Sequence, residues 1–146
     1  EASARTGAIL SGGELNFINN VSKCAKYLGI LFQIKDDLLD YSLSEELIGK
    51  PVFQDMKEGK VTYPFYFAYK NADKKDKTKL KSYLGKNKFN IKEAYNLIHK
   101  LNGISETELL ASKYLNQAVD AANTIKNKHV KEEMLKLINS ALYRKK

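Results

Sequence analysis

Only two prolines and eight glycines interrupt 146 residues, and long stretches contain neither. Scarcity of the residues that break regular backbone favours helices over a turn-rich β fold. The apolar pattern agrees. Leu110, Tyr114, Ala118, Ala121 and Ile125 recur at steps of three and four, and Met134, Leu135, Ile138 and Leu142 share one face further along. A first helix is expected to end near Leu10, followed by the turn "SGGE", where Ser11 and Glu14 have the spacing of a capping box for a second helix running through Tyr41. Residues 42–59 mix polar groups with Gly49, Pro51 and Gly59 and read as a long loop. "KVTYPFYFAYK" could pass for a strand, but Pro64 suits a helix's first turn, so a helix is expected over Tyr63–Asn71. Further helices are expected at Lys74–Leu84, Ile91–Leu101, Glu106–Lys126 and Lys131–Tyr143. The expected architecture is an all-α bundle with no repeat or second domain, its 43% hydrophobic content filling a modest core.

A single cysteine, Cys24, excludes an internal disulfide, and no apolar run reaches the roughly 18 residues of a membrane span. A cytoplasmic protein is the expectation. Residue 1 is Glu, and "EASARTGAIL" reads as though the chain opens partway along a helix, so a portion of a longer protein is expected. The net charge of +8 is uneven, −1 over residues 1–70 and +9 over residues 71–146. Those lysines are interspersed with Asp and Glu at helical spacing, as on a solvated surface, and nucleic-acid binding is not expected. Cys24 is expected to pack as a small hydrophobe, His99 and His129 to lie on the surface, and Phe65, Tyr66 and Tyr69 to belong to the core.

Against this background "FQIKDDLLDY", Phe32 to Tyr41, puts three carboxylates in five positions of an oily run. At about 100° per residue, Gln33, Asp36, Asp37 and Asp40 share one helical face and the apolar side chains occupy the rest. The acids therefore face a cavity rather than open solvent. They sit in the last turns of the helix, where the macrodipole already presents negative charge, so something cationic must compensate. Carboxylates with no His or Cys among them form a hard-oxygen site suited to Mg²⁺, which takes one or two protein carboxylates and completes its shell with water and substrate phosphate. A solvated acidic helix end balanced by Lys35 is equally compatible with the spacing. Downstream, "GKPVFQDMKEGK" offers Lys50, Asp55, Lys57 and Lys60 among glycines, and acids that hold metal beside lysines that hold phosphate are complementary parts of one diphosphate site.

"FQIKDDLLDY" followed by "IGKPVFQDMKEGKVTYP" resembles the second Asp-rich motif (32–40) and the lysine loop (49–60) of the trans-isoprenyl diphosphate synthases, the polyprenyl synthetase family of head-to-tail prenyltransferases. The resemblance runs over the whole chain and is greatest to bacterial medium- and long-chain enzymes such as octaprenyl diphosphate synthase. It implies that residues 1–146 are the C-terminal portion of a single all-α prenyltransferase domain with a helical-bundle isoprenoid synthase fold. It further implies Mg²⁺-dependent condensation of isopentenyl diphosphate with an allylic diphosphate to give a polyprenyl diphosphate, in a homodimer. Product release at a membrane surface would follow for a long prenyl chain.

Carried over residue by residue, the resemblance makes Asp36 the main metal ligand, with Asp37 and Asp40 completing the motif directly or through water. Gln33 supports the site by hydrogen bonding and Phe32 walls the cavity. Lys50 contacts the allylic diphosphate and Lys60 closes the loop over it. The family's first Asp-rich motif, its Lys-Thr pair and its isopentenyl-diphosphate-binding basic residues do not occur in these 146 residues, so the chain alone is expected to be inactive. Phe53 stands where many members have Gly, which leaves the loop conformation open. A non-catalytic subunit of a heteromeric synthase is the alternative, with the intact Asp36, Asp37 and Asp40 against it.

Overall fold

The computed structural model describes residues 1–42 and 52–142, which form eight helices and no strand. They are α1 (Ala2–Leu10), α2 (Leu15–Asp40), α3 (Gln54–Lys57), α4 (Tyr63–Asn71), α5 (Lys74–Tyr83), α6 (Ile91–Lys100), α7 (Gly103–Asn123) and α8 (Lys128–Leu142). The all-α expectation holds, and α4 has the expected bounds. Residues 43–51 of the expected loop lie outside the described residues, while within 52–59 the single turn α3 replaces what the sequence suggested was irregular chain.

Local polar groups set several boundaries. Asp73 accepts the Asp76 N–H at 2.7 Å to start α5, and Asn90 accepts the Glu93 N–H at 3.1 Å to start α6. Asn127 does the same for Val130 at 3.1 Å, so α8 begins three residues before the expected Lys131. The expected Ser11–Glu14 capping box is not formed. Ser11 instead closes α1: its hydroxyl donates to the Ala8 carbonyl at 2.9 Å, while Gly12 (φ +72°) donates to Ile9 O and Gly13 to Ala8 O. That paired bond pattern is a Schellman motif, in which a left-handed glycine terminates the helix. Two glycines after Ser11 turned a possible start signal into a stop.

The described residues form two compact units, one made of 1–35 and 111–142 and the other of 36–42 and 52–110. In the first, α1, α2, α7 and α8 bury Val21, Cys24, Ile125, Met134 and Ile138 around a row of alanines, Ala118, Ala121 and Ala122. Cys24 is fully buried, its thiol 3.5 Å from the Ala118 carbonyl, and burial pushes its pKa up to about 11. The thiolate is the reactive form, so native protein at pH 8 is expected to resist iodoacetamide and to gain one adduct by mass only after denaturation.

In the second unit α4, α5 and α6 pack on one another around Phe65, Ala68, Leu80, Ala94 and Ile98, with Tyr41, Phe53 and Met56 in the same cluster. Phe65 is buried and Tyr69 half-buried and stacked on it, as expected, but Tyr66 is 51% exposed. The correction is geometric: Pro64, Ala68 and Phe65 make up a buried face about 100° wide, and Tyr66 falls about 100° beyond its edge. His99 and His129 are exposed. No helix among the described residues is long and apolar enough to cross a membrane.

Candidate functional site

The last turns of α2 carry the acids. Asp36 is half-exposed, whereas Asp37 and Asp40 retain only 5% and 6% of their accessible surface. A buried carboxylate without hydrogen bonds is costly, so its partners decide whether such an arrangement stands. Here the partners include backbone N–H groups from the segments that follow. Gln54 N donates to Asp40 Oδ1 at 2.9 Å and Asp55 N to Asp40 Oδ2 at 3.1 Å, while Tyr63 N donates to Asp37 Oδ2 at 3.1 Å.

These donors open α3 and α4. The first N–H groups of a helix have no partner within it, and carboxylates are the preferred acceptors there. Part of the compensation that the sequence demanded for its acids therefore comes from uncharged backbone. Thr62 occupies the N-cap position of α4 without capping it by side chain; its hydroxyl pairs with Tyr41 Oη at 2.8 Å, and Asp37 takes over the capping. Tyr41 is 1% exposed. Burial, and after it the charges of Asp40, Asp55 and Asp37, hold its phenol above the ordinary tyrosine range against the lowering effect of the Thr62 bond.

Phe53 settles the loop question raised by the sequence: it adopts the left-handed conformation (φ 57°, ψ 28°) that glycine favours, with its ring fully buried. Its N–H donates to the Asp40 carbonyl at 2.8 Å, so three successive N–H groups, of Phe53, Gln54 and Asp55, converge on Asp40. The turn then closes at Gly59 (φ +79°).

The other expected site residues are placed as follows. Phe32 is 44% exposed and Gln33 is exposed, both on the portion of α2 within the first unit. Lys50 lies outside the described residues. Lys60 is exposed, with its ammonium 2.7 Å from Glu58 Oε2 and 3.1 Å from Asp55 Oδ1, and hydrogen bonds to Glu58 and Asp55 raise its pKa. Asp37 lines an open recess of about 390 Å³ together with Val61, Thr62, Tyr63 and Tyr66, while Asp36, which shares its helical face, is half-exposed.

Among the described residues no three His, Cys, Asp or Glu side chains form a ready-made metal cage. The donors fit Mg²⁺ in its usual protein mode, with one or two carboxylates and the remaining positions filled by water and phosphate oxygens. The residues that the sequence did not point to are the backbone N–H groups of Gln54, Asp55 and Tyr63. Their only advance signal was Pro64, which marks a helix start in need of an acceptor. Asp40→Ala is expected to lower stability by about 1–3 kcal/mol, because it orphans two donors in a part-buried turn. Denaturant unfolding measures this, and Asp40→Asn, which keeps one acceptor oxygen, is expected to recover part of the loss.

A sequence model of the family described as Polyprenyl synthetase matches residues 1–101. The mitochondrial hexaprenyl pyrophosphate synthase of Saccharomyces cerevisiae is 30% identical over 148 residues, covering 99% of this chain and 30% of its own length. The crystal structure of geranylgeranyl pyrophosphate synthetase from Pyrococcus horikoshii superposes with a TM-score of 0.89 at 30% identity, over 99% of this chain and 44% of that one. Polyprenyl synthase from Caulobacter crescentus, solved with calcium and isoprenyl diphosphate, gives 0.84 at 25% identity, over 99% and 45%. The chain thus spans about a third of the yeast relative and under half of the two solved chains, and the matched portion of such longer proteins is the C-terminal one. With the family model matching residues 1–101 and the helical fold shared with solved relatives, this chain belongs to the polyprenyl synthetase family.

Proposed function

We propose that these residues are the C-terminal portion of a single prenyltransferase domain that condenses isopentenyl diphosphate with an allylic diphosphate, with Mg²⁺, to make a polyprenyl diphosphate. The observation that carries the reading is the disposition of Asp36, Asp37 and Asp40 on the last turns of α2, with Asp37 opening on a recess lined by Val61, Thr62, Tyr63 and Tyr66. The calcium and isoprenyl diphosphate named for the Caulobacter crescentus structure support a divalent metal as the cofactor.

Mg²⁺ would neutralise the charge that develops on the departing diphosphate. Asp36 would hold it, Asp37 would contribute through its carboxylate at the recess, and Asp40, whose two oxygens accept the Gln54 and Asp55 N–H groups, would act through water. Lys50 and Lys60 would supply positive charge to the allylic diphosphate, with Gln33 hydrogen-bonding at the site. Phe32 would wall the apolar cavity and keep water from the allylic cation. To reach substrate, Lys60 would exchange its ion pairs with Asp55 and Glu58 for phosphate oxygens, a small cost for an exposed side chain.

The proposal places the protein in the cytoplasm as a homodimer that contacts a membrane only peripherally, at product release, and leaves residues 1–146 alone without turnover. The test is prenyl transfer by the native gene product with labelled isopentenyl diphosphate, an allylic diphosphate and Mg²⁺. Products lengthening in five-carbon steps are the expected result. A folded protein that makes none from several primers would instead support a non-catalytic subunit of a heteromeric synthase.

A further inference from the structure

The ring of Phe53 is more deeply placed than a loop residue needs. It is fully buried, 4.9 Å from the Tyr41 ring and 6.1 Å from the Phe89 ring, and Phe89 in turn lies 5.4 Å from Tyr83. Its backbone is held left-handed, which a bulky side chain avoids unless its surroundings enforce it. The same residue begins the run of three N–H groups that meet Asp40.

From this juxtaposition we infer that Phe53 is a positioning residue: its ring, locked among Tyr41 and Phe89, holds the chain in the left-handed conformation that aims the Gln54 and Asp55 N–H groups at the Asp40 carboxylate. A carboxylate takes its orientation from its donors, and donors in a four-residue turn have little rigidity of their own. The ring supplies that rigidity from the helical core. Glycine at this position would adopt the backbone angles freely and also leave them freely.

Hydrogen exchange on the native gene product, read at Gln54 and Asp55 and at the α4–α6 core, is compared with Phe53→Gly and Phe53→Leu. The expected result is a rise in exchange at Gln54 and Asp55 in Phe53→Gly at least tenfold larger than the rise at the core amides, which share the Phe53 cluster, and a smaller excess in Phe53→Leu. If Phe53→Gly does not fold, Phe53→Leu decides by the same local-to-core comparison. Unchanged local exchange, or a rise shared equally by the core, would overturn the inference and make the ring simple packing.

A second arm rests on the proposed function. Mg²⁺ with inorganic diphosphate is expected to slow exchange at Gln54 and Asp55 in the wild type, and to require about fivefold more Mg²⁺ in Phe53→Leu. No effect of Mg²⁺ on the wild type, with the first arm intact, would count against the proposed function and leave the positioning role standing.

Discussion

Replacing Asp36 with alanine in the native gene product is expected to lower prenyl transfer by on the order of 10²–10³-fold, the usual consequence of removing one preorganised group that meets developing charge. The choice of residue matters. Asp37 and Asp40 accept N–H groups that open α4 and α3, so removing either one combines a chemical loss with a structural one. Asp36 shares their face of α2 but is half-exposed, so its truncation is expected to lower the thermal unfolding midpoint less than truncation of the buried Asp37 or Asp40. Activity and unfolding measured together separate the two contributions. Raising Mg²⁺ is expected to recover some turnover in Asp36→Asn, which keeps the shape and one acceptor oxygen, and less in Asp36→Ala. If Asp36→Ala turns over normally, the acids of α2 do not hold the metal and their clustering serves the fold alone.

The helices were legible because their cause is periodic. The recurrence over Leu110–Ile125 and Met134–Leu142 marks a buried face whatever it packs on, and Ala118, Ala121, Ile125, Met134 and Ile138 are buried as that pattern requires. Pro64 sufficed to choose a helix over a strand for Tyr63–Asn71. Local motifs were less reliable where two competed: Ser11 and Glu14 have capping-box spacing, but Gly12 and Gly13 between them complete a helix stop. The chemistry of the acids was legible only in part. Their type and shared face could be read from spacing, whereas Asp37 and Asp40 take their hydrogen bonds from backbone groups 14 to 26 residues away. Nearly every residue carries such a group, so nothing in the letters Gln54, Asp55 or Tyr63 announces the role. Phe53 is the converse case. Its letter argues for an extended or helical backbone, and only the buried socket beside Tyr41 and Phe89 explains the left-handed angles.

Gly103→Ala is expected to destabilise the fold by about 2–3 kcal/mol, more than most single-methyl additions. A Cβ at Gly103 would press into the Pro64 carbonyl oxygen and lie 2.8 Å from Ile98 Cγ2 and 3.0 Å from the Ala68 methyl. A backbone carbonyl has no rotamer with which to yield. Pro64 sits in the first turn of α4, so relief requires that helix start to move away from α7. The same turn presents the Tyr63 N–H to Asp37 and holds Thr62 against Tyr41, and a displacement there reaches the acids. Prenyl transfer is therefore expected to fall in Gly103→Ala even at temperatures where the protein stays folded. Gly7→Ala is the matched control: a Cβ there meets nothing within 4 Å inside helix α1, and a gain of about 0.5–1 kcal/mol is expected from its higher helix propensity. Denaturant unfolding of the two variants compares the same chemical change in open and closed surroundings. A Gly103→Ala protein as stable as the wild type would mean that α4 can slide off α7 at little cost, and Asp37 would then be positioned by something other than a rigid helix start.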